Sequence, residues 1–466
     1  MTIWKRRASR LVTALVIEAV AIVLAMLILA QQPAQALPNY ARQTGQPCGA
    51  CHTDFPALTP FGRRFKLFGY TIGGGAYRTT LFPDSSDWSD QKPWVPPISL
   101  MAITGFTHTQ APLPPPTAPF NANDNVVESP VSFFYGGAIT DHLGAFAQVT
   151  YNNPSGTWTW DNTDLRYANE TRIGSTDVVY GLTANNNPTV QDVWNTTPAW
   201  TFPYAISTLA GSPATHTIID GALAAHVASI GGYAYVDDLL YLEASAYRTL
   251  DVRTQTSLGA CCAPGQFEGF APYWRMAVEP HWGRNWFEFG TFGMVSNIHT
   301  FTGTGNATFP QTDDYVDYGF DSQYQYQGDN YWLTLRGSYI HENQTLNGSF
   351  TNGLSANPKD DLNTLRAQTS FTYGADNRIS LTGQYFNTWG STDTGLYSTL
   401  ASGNSPNSDG WIAEIAYLPF MASASPVWPW FNARIGLQYI WYNKFDGTTA
   451  GASANNTLFA YLWFAM

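Results

Sequence analysis

From residue 97 onward, apolar residues recur at every second position in stretches of about ten to fourteen residues, separated by Gly, Asp and Asn. Alternation with a period of two is typical of strands that have one apolar and one polar face. The pattern predicts an all-β fold with sixteen strands, at residues 98–110, 129–139, 142–152, 157–169, 175–185, 221–236, 239–250, 270–281, 284–296, 314–326, 330–342, 363–375, 378–390, 410–420, 430–443 and 455–464.

The lengths of the strands and of their connections favour an antiparallel outer-membrane β-barrel over a soluble sandwich or propeller. Strands in globular proteins usually run about 5–6 residues, roughly half the length predicted here. Tight turns, for example at Asp237-Asp238 and Gly328-Asp329, alternate with long connections, for example at 186–220 and 391–409. Short periplasmic turns and long external loops are the rule in bacterial outer-membrane barrels.

Three features of the pattern are irregular. The connection at 153–156 is short where a long one is due, and the connection at 421–429 is long where a short one is due. The predicted strand 221–236 contains Gly231-Gly232, and glycine weakens a strand interior.

Successive side chains of a strand point to opposite faces, so the odd or even position of a residue within its strand, called here its parity, assigns it to one of two faces. In strand 430–443, Ile435 and Leu437 are expected to face lipid, and Arg434 and Gln438 to face the lumen. A barrel of sixteen strands encloses an aqueous lumen rather than a core of side chains.

The composition agrees with a membrane barrel. Charged residues make up only 12% of the 466 residues, against about 25% in soluble globular proteins, and aromatic residues reach 15%. Lys and Arg number 22 against 34 Asp and Glu, which argues against nucleic acid as a partner. The mean hydropathy of −0.18 suits strands that meet lipid on one face only.

Residues 1–36 are predicted to be a cleaved signal peptide. Four basic residues within the first ten precede an apolar run at 11–30, and Ala34-Gln35-Ala36 supplies a signal-peptidase site. A retained membrane anchor is the alternative. The signal predicts an exported protein.

Cys48, Cys51 and His52 form the C-x-x-C-H pattern of covalent haem c attachment. The two thiols would add to the two vinyl groups of one haem, and His52 would be the proximal iron ligand. A redox dithiol or half a zinc site is the alternative, but no second C-x-x-C follows. Cys261 and Cys262 are adjacent in a predicted long loop, where an oxidised clip or a pair bound by a partner is expected rather than a catalytic thiol.

The chain therefore divides into a signal peptide at 1–36, a monohaem cytochrome segment at 37–75, a linker at 76–96 and the barrel at 97–466. A segment below about 40 residues rarely buries a sufficient core alone, so the barrel lumen is expected to supply the second wall of the haem site. Basic side chains of the segment could pair with the haem propionates or form a solvated face; they are Arg42, Arg63, Arg64 and Lys66.

The sixth iron ligand is open. Parity points Met101 and Met294 into the lumen and Met276 toward lipid. A thioether ligand would raise the reduction potential. Met101 and Met294 are therefore the candidates, with a purely structural role as the alternative for each.

Three stretches carry a family resemblance: Tyr40-Ala41-Arg42-Gln43-Thr44-Gly45, then Cys48 to His52, then Phe55-Pro56-x-Leu58-x-Pro60-Phe61-Gly62-Arg63-x-Phe65-Lys66. They resemble the fused outer-membrane cytochrome–porins, the monohaem cytochrome iron oxidases of iron-oxidising bacteria. The resemblance is specific over residues 38–70 and rests on length and pattern over the barrel. It implies that Cys48 and Cys51 hold the haem and that His52 ligates its iron.

The resemblance further implies an oxidoreductase that takes electrons from extracellular Fe(II) and passes them to a periplasmic cytochrome c or copper protein. The protein would lie among outer-membrane lipids, with the haem segment at the periplasmic side or in the lumen and the long loops outside. Two alternatives are an electron conduit for a different donor or acceptor, and a diffusion porin with a regulatory haem segment.

Overall fold

The computed structural model describes residues 37–82, 92–113, 119–260, 264–302, 307–374, 376–422, 424 and 427–466. The predicted signal peptide at 1–36 lies outside the described residues, and so do Cys261 and Cys262. Among the described residues, no helix has the length and apolarity needed to cross a membrane.

The barrel consists of sixteen antiparallel strands, each paired with its neighbours in the chain. One strand is interrupted and consists of three segments, Gln266–Phe267, Ala271–Val278 and His281–Trp282. They count as one strand because all three pair with the same following strand. The strands are β1 Ile98–Thr109, β2 Asn125–Ala138, β3 Leu143–Asn152, β4 Thr157–Ile173, β5 Thr176–Asn185, β6 Val227–Val236, β7 Leu240–Thr249, β8 Ala271–Val278 with its two flanking segments, β9 Asn285–His299, β10 Asp313–Gln327, β11 Tyr331–Thr345, β12 Lys359–Tyr373, β13 Ile379–Gly390, β14 Ser408–Tyr417, β15 Asn432–Lys444 and β16 Thr457–Ala465. The first and last strands pair, for example Gly105 with Tyr461, and close the barrel.

The sixteen predicted strands are all present, with corrections at their ends. Strand β6 begins at Val227, six residues later than predicted, because a kinked turn with Gly221 at a φ of +91° occupies Ile218–Ala222 and further turns continue to residue 226. Strand β2 begins four residues earlier than predicted, at Asn125. Its Pro130 falls at a register shift opposite β1, where the missing N–H costs no ladder hydrogen bond.

The two faces of the barrel follow the predicted parity. On β15, Ile435 and Leu437 are 41% and 46% exposed on the outer face, whereas Arg434 and Gln438 are buried inside. The same division of apolar outer and polar inner residues marks outer-membrane porin barrels. The chain is therefore a porin-like outer-membrane β-barrel.

Short connections at 139–142, 174–175, 237–239 and 328–330 lie at one end of the barrel, called here the turn end. Most connections at the opposite end, the loop end, are long. The two irregular connections are confirmed: 153–156 is a tight turn at the loop end, and 418–431, which contains the predicted 421–429, is a long connection at the turn end.

Residues 186–226, called here the inserted loop, lie elsewhere than the sequence predicts. The pattern predicts an external loop at 186–220, but much of the inserted loop is buried inside the barrel. Polar groups of the inner wall bind its backbone; Ile219 N donates to Asp317 Oδ2 at 2.7 Å, and Gln438 Nε2 donates to the Ala205 carbonyl at 3.0 Å. Because a polar lumen can satisfy backbone groups as water does, the loop folds inward.

Residues 37–72 enter the barrel at the turn end. They form α1 Pro38–Thr44, α2 Cys48–Cys51, a hairpin of His52–Asp54 with Ala57–Leu58, and α3 Pro60–Leu67. Proline at the start of α1 and α3 and a Thr59 side-chain cap on α3 explain where these helices begin. Asn377 in a turn donates to the His52 carbonyl at 3.0 Å, which ties the segment to the turn end.

Candidate functional site

A cavity of about 300 Å³ lies where residues 37–72, the inserted loop and the inner wall meet. Its volume falls at the lower end of the range for ligand pockets, about 300–1,000 Å³. Most of the lining is apolar. The wall contributes Met101, Phe134, Phe146 and Trp463, and the inserted loop contributes a stretch around Trp200 and Tyr204.

Cys48, Cys51 and His52 all line this cavity. The short helix α2 places the two cysteines three residues apart on it, and burial raises the pKa of the Cys51 thiol to about 12. Gly62 lets α3 pack closely against α2, because a Cβ at position 62 would stand 2.2 Å from the Cys51 carbonyl oxygen. A larger residue at position 62 would force the two helices apart.

His52 has the arrangement expected of an iron ligand. Its Nδ1 lies 3.0 Å from the Pro56 carbonyl oxygen, to which a protonated Nδ1 donates, and this leaves Nε2 for a metal. Burial lowers the pKa of His52 to about 4, so the imidazole is neutral at pH 7. A neutral ring is the form that coordinates iron.

The two candidate methionines lie in different places. Met101 lines the cavity with Cys48, Cys51 and His52. Met294 is fully buried in a separate apolar cluster with Ile218 and Phe292, and it does not line the cavity. Met276 is 48% exposed on the outer face, as parity predicted.

The basic residues proposed as propionate contacts have other partners. Arg42 donates to the Ile98 carbonyl at 2.7 Å and stacks on Trp430, and Arg63 forms a buried ion pair with Glu279. Arg64 is half-exposed beside Asp238. None of these three guanidinium groups lines the cavity.

Lys66 does line the cavity. Its Nζ donates to the carbonyls of Val190 and Asp192, each at 2.6 Å, and lies over the ring of Trp200. Burial, with a smaller contribution from Arg166, lowers the pKa of Lys66 to about 7. Lys66 therefore joins the inserted loop to residues 37–72.

Buried ion pairs and hydrogen bonds anchor residues 37–72 to the barrel wall, and parity alone could not reveal them. Arg434 of the wall binds Asp54 and Glu414. Tyr70 donates to Asp164 at 2.6 Å, and Asp164 is paired with Arg166 at 2.8 Å. The sequence places acidic and basic residues at inward positions, but it does not show which of them form ion pairs.

The donor set fits a covalently attached haem. Two cysteines and a histidine with a free Nε2 share one apolar cavity, and Met101 is on the same lining. Three lining side chains also carry buried polar atoms without a hydrogen-bond partner, namely Tyr40 Oη, Asn195 Oδ1 and Trp463 Nε1.

No protein-family model and no curated protein matches the sequence. Among solved structures, the chain is similar to OmpF of Salmonella typhi in complex with daunomycin, at 14% identity and a TM-score of 0.42, covering 79% of this chain and 97% of that one. It is similar to OprB of Pseudomonas putida at 10% identity and a TM-score of 0.43, covering 79% and 93%. It is also similar to OmpT of Vibrio cholerae at 11% identity and a TM-score of 0.40, covering 79% and 95%.

Proposed function

We propose that the chain is an outer-membrane cytochrome–porin that oxidises extracellular Fe(II) and passes the electrons through one haem c to a periplasmic cytochrome or copper protein. The observation that carries the proposal is the shared cavity of Cys48, Cys51, His52 and Met101. Each Fe(II) would lose one electron outside the cell, so the poorly soluble ferric product stays there.

In this proposal each lining group has a role. Cys48 and Cys51 hold the haem by thioether bonds, His52 ligates its iron through Nε2, and Met101 is the candidate sixth ligand. A bound haem supplies a one-electron redox centre. Aromatic side chains around the cavity, including Phe55 and Trp463 with ring centroids 4.8 Å apart, would limit the access of water to the haem.

The arrangement of the lumen supports a conduit over a diffusion porin. Residues 37–72 enter from the turn end, assigned here to the periplasm, and the inserted loop enters from the loop end, assigned to the outside. Lys66 joins them inside the barrel. Two segments that meet inside the barrel narrow the path for solutes, and a diffusion porin needs an open path.

The diffusion porin with a regulatory haem segment is the second candidate, because barrels of this strand number enclose an aqueous lumen. Planar-bilayer conductance separates the two. A conduit predicts little ion current through the haem-loaded protein, and a diffusion porin predicts open-channel current that haem does not block.

The test of iron oxidation uses purified, oxidised, haem-loaded protein in detergent without oxygen. Addition of Fe(II) at several pH values is expected to reduce one haem per chain, seen in the absorption bands. The Cys51→Ala variant, which lacks one thioether, controls for Fe(II) reacting with loosely bound haem. A haem that stays ferric with Fe(II) yet is reduced by dithionite would contradict iron as the donor and favour a conduit for another donor.

A further inference from the structure

A pair of carboxylates lies in the barrel lumen, away from the cavity that Cys48, Cys51 and His52 line. Asp317 on β10 and Glu342 on β11 are register partners on the inward face, and each is 1% exposed. Directly opposed residues on antiparallel strands have Cβ atoms about 4.5–5.5 Å apart. Two acidic groups are therefore held side by side away from water.

The inserted loop covers this pair. Ile218 N donates to Glu342 Oε2, and Ile219 N donates to Asp317 Oδ2 at 2.7 Å. The next loop residue, Asp220, forms an ion pair with Arg366 at 2.6 Å. Arg366 is thus occupied, and no basic side chain in the described part of the chain forms an ion pair with Asp317 or Glu342.

Oxygen atoms around the pair are left without donors. Asp317 Oδ1, Gln344 Oε1 and Thr217 Oγ1 are buried and have no hydrogen-bond partner. The Gln344 amide is held at the pair, because its Nε2 donates to Glu342 Oε1 at 2.6 Å. Gln344 is 6% exposed and Thr217 is fully buried, so water does not reach these oxygens freely.

Buried carboxylates without a countercharge are costly unless they take up protons or a cation. A ligand set made of carboxylate, amide and hydroxyl oxygens, without Cys or His, suits hard divalent cations. No three His, Cys, Asp or Glu side chains of the described residues form a metal cluster. A cation here must therefore take its remaining ligands from neutral oxygens, which Gln344 and Thr217 offer.

We propose that Asp317 and Glu342, with the free oxygens of Gln344 and Thr217, bind one hard divalent cation that fastens the inserted loop to the barrel wall. The cation would replace the missing positive charge and give the unpartnered oxygens a partner. This site goes beyond the proposed electron transfer and does not depend on haem.

The test uses the purified full-length protein, treated with a chelator and then titrated with Mn²⁺, with bound metal read by electron paramagnetic resonance. One Mn²⁺ per chain is expected. Asp317→Asn and Glu342→Gln should each weaken Mn²⁺ binding at least tenfold. Asp314→Asn removes a carboxylate from the same strand on the face that Val316 shares, and it should leave the affinity unchanged.

Heat-modifiable migration on gels shows whether each variant has a folded barrel. Protease cleavage within the inserted loop should rise when wild-type protein loses its metal. Absence of bound Mn²⁺ in the folded wild type, or equal affinity in all three variants, overturns the site and leaves proton sharing as the state of the pair. Since Mn²⁺ does not reduce ferric haem, the result is separate from that of the Fe(II) experiment.

Discussion

Met101 and Met294 share their chemistry and their inward parity, but they have different surroundings. Met101 faces the cavity of Cys48, Cys51 and His52, and Met294 packs among aliphatic and aromatic side chains. Of the two methionines, only Met101 is placed to act as the sixth ligand of the proposed haem. Met294, by contrast, has a packing role in the apolar cluster.

We expect Met101→Leu to remove the far-red absorption band that marks methionine ligation of ferric haem and to lower the reduction potential, because a thioether ligand favours the reduced iron. Met294→Leu is the matched control and should leave both unchanged. Retention of the band in Met101→Leu would show that another residue is the ligand.

Arg434 joins the N-terminal segment to the barrel wall by buried ion pairs. Its guanidinium contacts Asp54 of the segment and Glu414 of the wall, and all three are buried. Arg434→Leu leaves two buried carboxylates without a countercharge, so we expect a loss of about 3–5 kcal/mol in the free energy of unfolding.

Urea unfolding of the protein in detergent, followed by tryptophan fluorescence, measures this loss. Arg284→Leu is the control, because Arg284 and Asp329 form an exposed pair at a turn. The control should change stability little, since water and salt screen exposed pairs. Equal stability of the two variants would mean that the buried pair does not hold the segment.

The inserted loop is the element that changes most between prediction and structure. Its Asn, Thr and Pro residues resemble those of an exposed loop, but it also contains apolar residues that the structure buries, such as Trp194, Phe202 and Ile219. The inward direction of the loop depends on inner-wall groups far away in the chain, such as Gln438 and Arg366. The strands, by contrast, were predictable because alternation is visible within ten residues.

Replacing residues 188–222 with a short Gly-Ser linker should raise single-channel conductance in planar bilayers several-fold, because the lumen loses material that fills it. Shortening the connection 346–358 is the control and should leave the conductance near the wild-type value. If the deletion does not open the channel, residues 37–72 alone close the lumen.

At the scale of the whole molecule, the outer surface of the barrel carries apolar side chains where lipid is expected. Leu437 is 46% exposed near the middle of β15, whereas Leu354 is 40% exposed in a connection at the loop end. The two leucines are similarly exposed, but only Leu437 is expected to meet hydrocarbon.

Leu437→Lys should therefore lower the free energy of unfolding in lipid vesicles by about 2–4 kcal/mol, the cost of a basic residue near the bilayer midplane. Leu354→Lys should have little effect, because its side chain reaches water. Equal effects in vesicles would show that the barrel does not sit in the bilayer as its outer face indicates.

Strand number, the two faces of each strand and the C-x-x-C-H motif could be read from the chain alone, because each depends on residues within a few positions of one another. The cavity that Cys48 and Met101 share, the hydrogen bond of Lys66 to Val190 and the pairing of Asp317 with Glu342 could not. These residues are distant in sequence, or they lie on neighbouring strands whose register decides which residues face each other. These arrangements exist only once sixteen strands have closed and the lumen has taken in residues 37–72 and the inserted loop, since burial inside the barrel forces polar groups to find partners there.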